Sequence, residues 1–434
     1  MKTPVTGAAL ALLAALAAQA QAQDHAGEIV VQAPLIHPAA GLMNEHMHEG
    51  GEVMLGLRFE RTHAGGINRS VTDEIADPAI VAAGFSARTE SMTMDMAMLD
   101  LMYAPSDNLT LMVMPQYMWH RMEMLGIDPA NGAGGGHGGH AGGTNHSGTA
   151  EIADPAIVAA GFSARTESMT MDMAMLDVMY APTSNLTLMV MPQYMWHRME
   201  MLGIDPANGA GGGHAGHAAG HVIPFGEVHE HSTDGFGDTL VSASYRLVRQ
   251  PGFGAHATLG VWVPTGSVGK KNDDGTFVHY GMQPGSGTWD IEPSLTLTGR
   301  AGALGWGGQA SYRWRTEEHN ASGFAFGDKA RATGWVSTLL GSDVGATARL
   351  EYVHEGKVLG HYNGAHNHTA PADRQENYGG DVVAAGFGLN WLLPVAGTSK
   401  PQLSGEISVP LYQDLNGIQA PQDWRFTLGL SQTF

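Results

Sequence analysis

From Glu52 onward the chain is built of short segments in which apolar and polar residues alternate. Val53, Leu55, Leu57 and Phe59 alternate with Met54, Gly56, Arg58 and Glu60; near the other end Trp424, Phe426, Leu428 and Leu430 alternate with Arg425, Thr427, Gly429 and Ser431. A period of two belongs to a strand whose two faces meet different surroundings. Similar segments recur at 92–103, 109–121, 169–180, 186–198, 239–248, 256–264, 291–300, 308–315, 329–338, 346–353, 381–391 and 402–411. With the first and last, that makes about fourteen, each fit for the ~9–11 residues of a tilted membrane-spanning strand. Short turn-forming connections at 104–108, 181–185, 249–254, 299–302 and 341–345 alternate with long loops rich in Gly, His and Asp. A soluble β-sandwich has no reason to sort its loops by length. An outer-membrane barrel does, with short periplasmic turns and long external loops. The expected fold class is therefore all-β: an antiparallel transmembrane β-barrel over residues 51–434, both termini periplasmic.

The ends of the chain fit export to a membrane. Lys2 precedes the apolar run Ala8 to Ala18, followed by small-residue sites at Ala18-Gln19-Ala20 and Ala20-Gln21-Ala22. Residues 1–22 read as a signal peptide, and 23–50 as a short periplasmic segment, a candidate plug. The terminal Phe434 resembles the assembly signal of outer-membrane proteins. The expected partners are outer-membrane lipid, the outer-membrane assembly machinery and a small-molecule or metal-ion permeant. Beyond the signal no run of about 18 apolar residues exists, which excludes membrane helices. The formal net charge of −20 opposes nucleic-acid binding. Cysteine is absent, so disulfides and thiolate metal sites are out.

Residues 74–137 reappear at 151–214, differing only at Leu101/Val178, Ser106/Thr183 and Asp107/Ser184. The unit holds two strands and one turn, so its duplication converts twelve strands into fourteen without disturbing the up-down order. Within it, parity puts Met92, Met94, Met96, Met98, Asp100 and Met102 on one face, and Met112, Met114, Met118 and His120 on one face of the next strand. A carboxylate facing lipid is unfavourable, so Asp100 and its copy Asp177 mark the luminal face; Asp95 falls on the other face and argues against this. Thioethers are soft ligands for Cu(I) or Ag(I) and equally good contacts for aromatic solutes; plain wall packing is the third reading.

Histidines add candidate ligands: His46, Met47 and His48 in the periplasmic segment, His137 and His140 in one external loop, His214, His217, His229 and His231 in another. With Met94, Met96, Met112 and Met114 they form the candidate metal set. No cofactor is required; Cu(I), Ag(I) or another transition metal is a candidate ligand. Arg246, Arg313, Arg315, Arg349, Glu351 and Arg425 share the polar parity and are expected to line the lumen with Asp100 and Asp177. They serve either as a charged constriction or as ion pairs within the wall. No G-x-S-x-G elbow occurs, which leaves a barrel hydrolase as a remote alternative; the chain is expected not to be an enzyme.

The phrases Asp95-Met96-Ala97-Met98, Met102 to Met118 and Asp234-Gly235-Phe236-Gly237-Asp238 resemble the outer-membrane barrels associated with the meta-pathway of phenol degradation. The resemblance spans residues 50–434 and implies a barrel of the Gram-negative outer membrane that passes small molecules; it supplies no site residues. The leading expectation is a channel or transporter for aromatic compounds or soft metal ions. A metal-sequestering surface protein anchored by its barrel is the alternative.

Overall fold

The computed structural model describes residues 53–65, 68–70, 73–82, 87–126, 146–147, 150–151, 164–203, 226–272, 275–366, 374–394 and 400–433. The signal peptide, the 23–50 segment with His46, Met47 and His48, loop residues His137, His140, His214 and His217, and Phe434 lie outside them.

Fourteen strands form one closed antiparallel barrel. They are β1 (Val53–Gly65), β2 (Ala87–Ser106), β3 (Leu109–Gly126), β4 (Ala164–Thr183) and β5 (Leu186–Met191, continuing as Gln193–Gly203). Next come β6 (Val228–Phe236, continuing as Thr239–Gln250), β7 (Phe253–Val263), β8 (Asp290–Ala301), β9 (Leu304–Arg315) and β10 (Lys329–Leu339). The wall ends with β11 (Val344–Glu355), β12 (Gly380–Leu392), β13 (Gln402–Gln419) and β14 (Gln422–Thr433). Each strand pairs with its sequence neighbours, and β1 pairs with both β2 and β14, from Met54↔Met102 on one side to Met54↔Thr433 on the other. Closure leaves no edge strand, which is what lets a sheet cross lipid. Fourteen strands ~4.8 Å apart and tilted by ~40° enclose a backbone cylinder of radius ~14 Å.

The expected turns are shorter in the structure, because the pleat continues through them. β2 runs on to Ser106, with luminal Ala104 fully buried and Pro105 exposed, so that only Asp107 and Asn108 form the turn. Pro192 splits β5, since it has no N–H to give the ladder.

Outward positions carry the lipid-facing surface: Leu55, Leu57, Leu101, Val113, Leu188, Val190, Leu259, Leu350 and Leu428 are all exposed. Aromatics bracket this band, with Tyr103, Tyr180, Tyr245 and Trp391 near the short turns and Trp119, Trp196, Trp314 and Tyr352 near the long loops. On β3, Leu109 to Trp119 is ~33 Å along the strand at ~3.3 Å per residue, or ~25 Å along the normal at a ~40° tilt, the height of an outer-membrane apolar band. Closed, and apolar on its outer face, this is a barrel of the Gram-negative outer membrane. Asp95 does face outward, but directly opposite Trp119 at the external belt. Arg61 chelates it there, at 2.5 and 2.7 Å. No helix of the described residues is long and apolar enough to cross a membrane.

Candidate functional site

The lumen has two unlike walls. On β2 to β5 most of the inward residues are methionine. Register aligns Met102 with Met112, Met98 with Gln116 and Met96 with Met118 across β2 and β3. It aligns Met114 with Met175, Gln116 with Met173 and Met112 with Asp177 across β3 and β4. Met98, Met102, Met112 and Met114 form a buried cluster, with Met54, Met175, Met179 and Met191 packed against it. Unbranched thioethers fill such a surface without fixed rotamers and contact aromatic rings favourably. Nearer the outside, His197 is buried, its Nε2 2.8 Å from Met171 Sδ.

Two carboxylates are set into this wall. Asp100 is 9% exposed and Asp177 1%. Asp100 faces Gly56 on β1, where a Cβ would lie 3.1 Å from its Oδ2, and Arg58 provides a nearby positive charge. Asp177 sits between β3 and β5 instead, and neither of its oxygens has a hydrogen-bond partner among the described residues.

The opposite wall is charged and internally neutralised. Arg349 donates to both oxygens of Glu406 and, at 3.2 Å, to Glu351, which also accepts from Arg425 at 2.8 Å. Arg349 and Glu406 are nearly inaccessible, at 4% and 2% for their side chains. On β8, the fully buried Asp290 accepts from Arg313 at 2.6 and 2.8 Å and from Arg315, with Thr288 donating to its other oxygen at 2.8 Å. Arg313 lies 4.0 Å over the ring of Trp262, and Trp262 donates to Glu292 at 2.8 Å.

Above this wall three external loops fold together. Phe277 and Tyr280 from 264–289, Phe324 from 316–328 and Tyr362 from 356–379 pack into a buried aromatic cluster with Val268 and Val358. The rings of Phe277, Tyr362 and Tyr280 stack at 4.3 and 4.5 Å. Tyr362 donates to the carbonyl of Val278 and accepts from Gln283; burial raises its phenol above the ordinary range, so it stays neutral. Phe326 joins the cluster to the lumen by lying under Arg315. The buried Asp238, where β6 is interrupted, latches the first loop, accepting from the Gly266 N–H at 3.1 Å, the Ser286 N–H at 2.7 Å and the Ser286 hydroxyl at 2.6 Å. Substituting Asp238→Ala removes a charged acceptor of three bonds. Losing about 3 kcal/mol of local stability raises loop cleavage by an externally added protease roughly 100-fold. Cleavage at the wild-type rate contradicts the latch.

The model of the family described as "MetA-pathway of phenol degradation" matches residues 177–420, more than half of the 434. The chain belongs to this family. Similar solved structures include an outer membrane channel from Pseudomonas putida F1 (11% identity, TM-score 0.41, covering 89% of this chain and 97% of that one). A Pseudomonas aeruginosa FadL homologue follows at 9% identity and TM-score 0.43, covering 88% and 90%. The Pseudomonas putida toluene transporter TodX gives 9%, 0.40 and 89% of each chain. A search of the curated proteins finds no match.

In this phenol-degradation family barrel the candidate residues fall into separate places. Met94, Met96, Met112 and Met114 stand on the inner face of β2 and β3; Asp100 and Asp177 are among the methionines. Arg349, Glu351 and Arg425 form one charged group, Arg313 and Arg315 another. Arg246 stands at the periplasmic end, donating to the carbonyl of Ser184. His229 and His231 lie on β6. No group of three His, Asp or Glu residues among the described residues is arranged to hold a metal. The alternation of residues does not single out Asp290. Its signal was the pair Arg313 and Arg315, two inward guanidiniums that need a carboxylate on an adjacent strand.

Proposed function

We propose that this barrel is a passive conduit for small, weakly polar organic molecules, phenol-sized aromatics among them. The observation that carries the reading is the asymmetric lumen: a methionine-rich wall on β2 to β5, its central thioethers packed into one cluster, across from a charged wall whose groups already neutralise one another. An aromatic solute gains sulfur contacts of ~0.3–1.5 kcal/mol each along the first wall, weak enough for release. Self-paired charges on the second wall leave no strong anion or cation trap. The family's description in terms of phenol degradation supports the same class of permeant. Such a conduit performs no covalent chemistry.

The test is initial uptake of radiolabelled phenol by porin-deficient Gram-negative cells producing the barrel, since lipopolysaccharide slows apolar solutes. Uptake several-fold above the empty host is expected. Replacing Met112, Met114, Met175 and Met191 by Gln keeps their length but adds polar groups, and is expected to abolish most of the gain; Leu at the same positions keeps the wall apolar without the sulfur contacts and retains part of it. No gain over the empty host, or full gain with Gln, overturns the reading.

A further inference from the structure

We propose that Asp177 and the thioethers around it form a binding site for a soft monovalent cation of the Ag(I) or Cu(I) class. Met112 stands directly opposite Asp177 on β3. Met175 and Met179 flank it on the same face of β4. Met191 lies one register step beyond the Val178–Val190 pair on β5. All four methionines belong to a single packed cluster. Asp177 is 1% exposed, and both of its oxygens lack a hydrogen-bond partner among the described residues.

A carboxylate held this way needs compensation, because an unpaired buried charge is strongly unfavourable. A proton neutralises it but creates an O–H donor whose surroundings offer only weak thioether acceptors. Hard cations such as Ca²⁺ require six to eight oxygens, and two are present. A divalent ion leaves one positive charge uncompensated in the wall. A soft monovalent ion meets every requirement: one carboxylate balances its charge, and neutral thioethers complete its preferred donor set. Duplication created the site. The sister residue Asp100 also lies among methionines and has one oxygen without a partner among the described residues, but its neighbour on β1 is Gly56, with Arg58 nearby, whereas Asp177 has a methionine on each side, Met112 of the first copy and Met191 of the second.

The test is equilibrium dialysis of the refolded full-length barrel against silver nitrate in chloride-free buffer, with excess free imidazole outcompeting loop histidines and bound silver measured by mass spectrometry. Wild type is expected to retain one tight equivalent. Asp177→Asn, and separately Met112→Leu with Met191→Leu, are expected to weaken it by at least about 100-fold, while Asp100→Asn keeps it. Heat-modifiable gel mobility checks that each variant is folded, and the volume-conserving Leu pair tests the site independently of the carboxylate. No tight equivalent in wild type, its persistence in either Asp177→Asn or the Leu pair, or its loss in Asp100→Asn overturns the proposal. Silver binding and phenol uptake are read by separate assays on the same wild-type barrel, so failure here is distinguishable from failure of the conduit.

Discussion

Replacing Arg349 by Met is expected to lower the stability of the folded barrel by about 3–5 kcal/mol, the usual effect of removing one partner from a buried ion pair. Arg349 is the guanidinium that Glu406 meets from two sides, and it also touches Glu351. Glu351 keeps Arg425 and Arg331 as neighbours; among the described residues, the ion pairs of Glu406 are with Arg349 alone. The variant therefore leaves a carboxylate at 2% exposure with no counter-charge. Combining Arg349→Met with Glu406→Gln is expected to recover much of the loss, because the stranded charge disappears with its partner. Urea unfolding in lipid vesicles, followed by tryptophan fluorescence, measures both. A single variant with the wild-type midpoint rules out this group as a stabilising element of the wall.

Deleting residues 74–150 removes one copy of the repeated unit and should yield a folded twelve-stranded barrel with clearly lower conductance. The geometry favours closure. β4 carries the sequence of β2 apart from Leu101/Val178 and the turn-side Ser106/Thr183, so it can take β2's place beside β1, while the β5–β6 pairing is unchanged. The backbone radius falls from ~14 to ~12 Å at constant tilt, and the open cross-section, after side chains, shrinks by at least a quarter. Asp177 is then set against Gly56 and Arg58, and the tight silver equivalent should vanish with the second copy. Single-channel recording in planar bilayers reads the conductance; a value equal to the parent's contradicts fourteen strands lining one pore.

Much of this architecture is visible in the alternation of residues, because a barrel wall with lipid on one side and a lumen on the other imposes a period of two on every strand. That rule gives the number of strands and the inward direction of Met112, Arg349 and Glu351. It fails where partners come from distant segments. Asp95 breaks the outward pattern, and its partner Arg61 lies 34 residues earlier, a relation that exists only once the β1–β2 register is known. Asp290 opens β8 directly after a loop with no periodic context, and its meaning depends on two arginines of the next strand. The aromatic cap draws Phe277, Tyr280, Phe324 and Tyr362 from three loops, and no local spacing links them. The alternation also stops short of the full strands. β2 and β3 extend to 20 and 18 residues, well beyond the ~9–11 a bilayer requires, because hairpin pairing continues outside the membrane.

The repeat also bears on how the wall is assembled. Closing the wall joins β14 to β1, and in the closed barrel β1 also holds one other neighbour. It meets two nearly indistinguishable candidates, β2 and β4, each presenting the same methionines, the same luminal carboxylate and the same outward aspartate for Arg61. Side chains give little basis for the choice, so the order of the chain must make it: β2 is the nearer in sequence and closes the shorter loop. A folding barrel that takes β4 instead closes just as well and leaves a complete hairpin outside, a competing product encoded in the same gene.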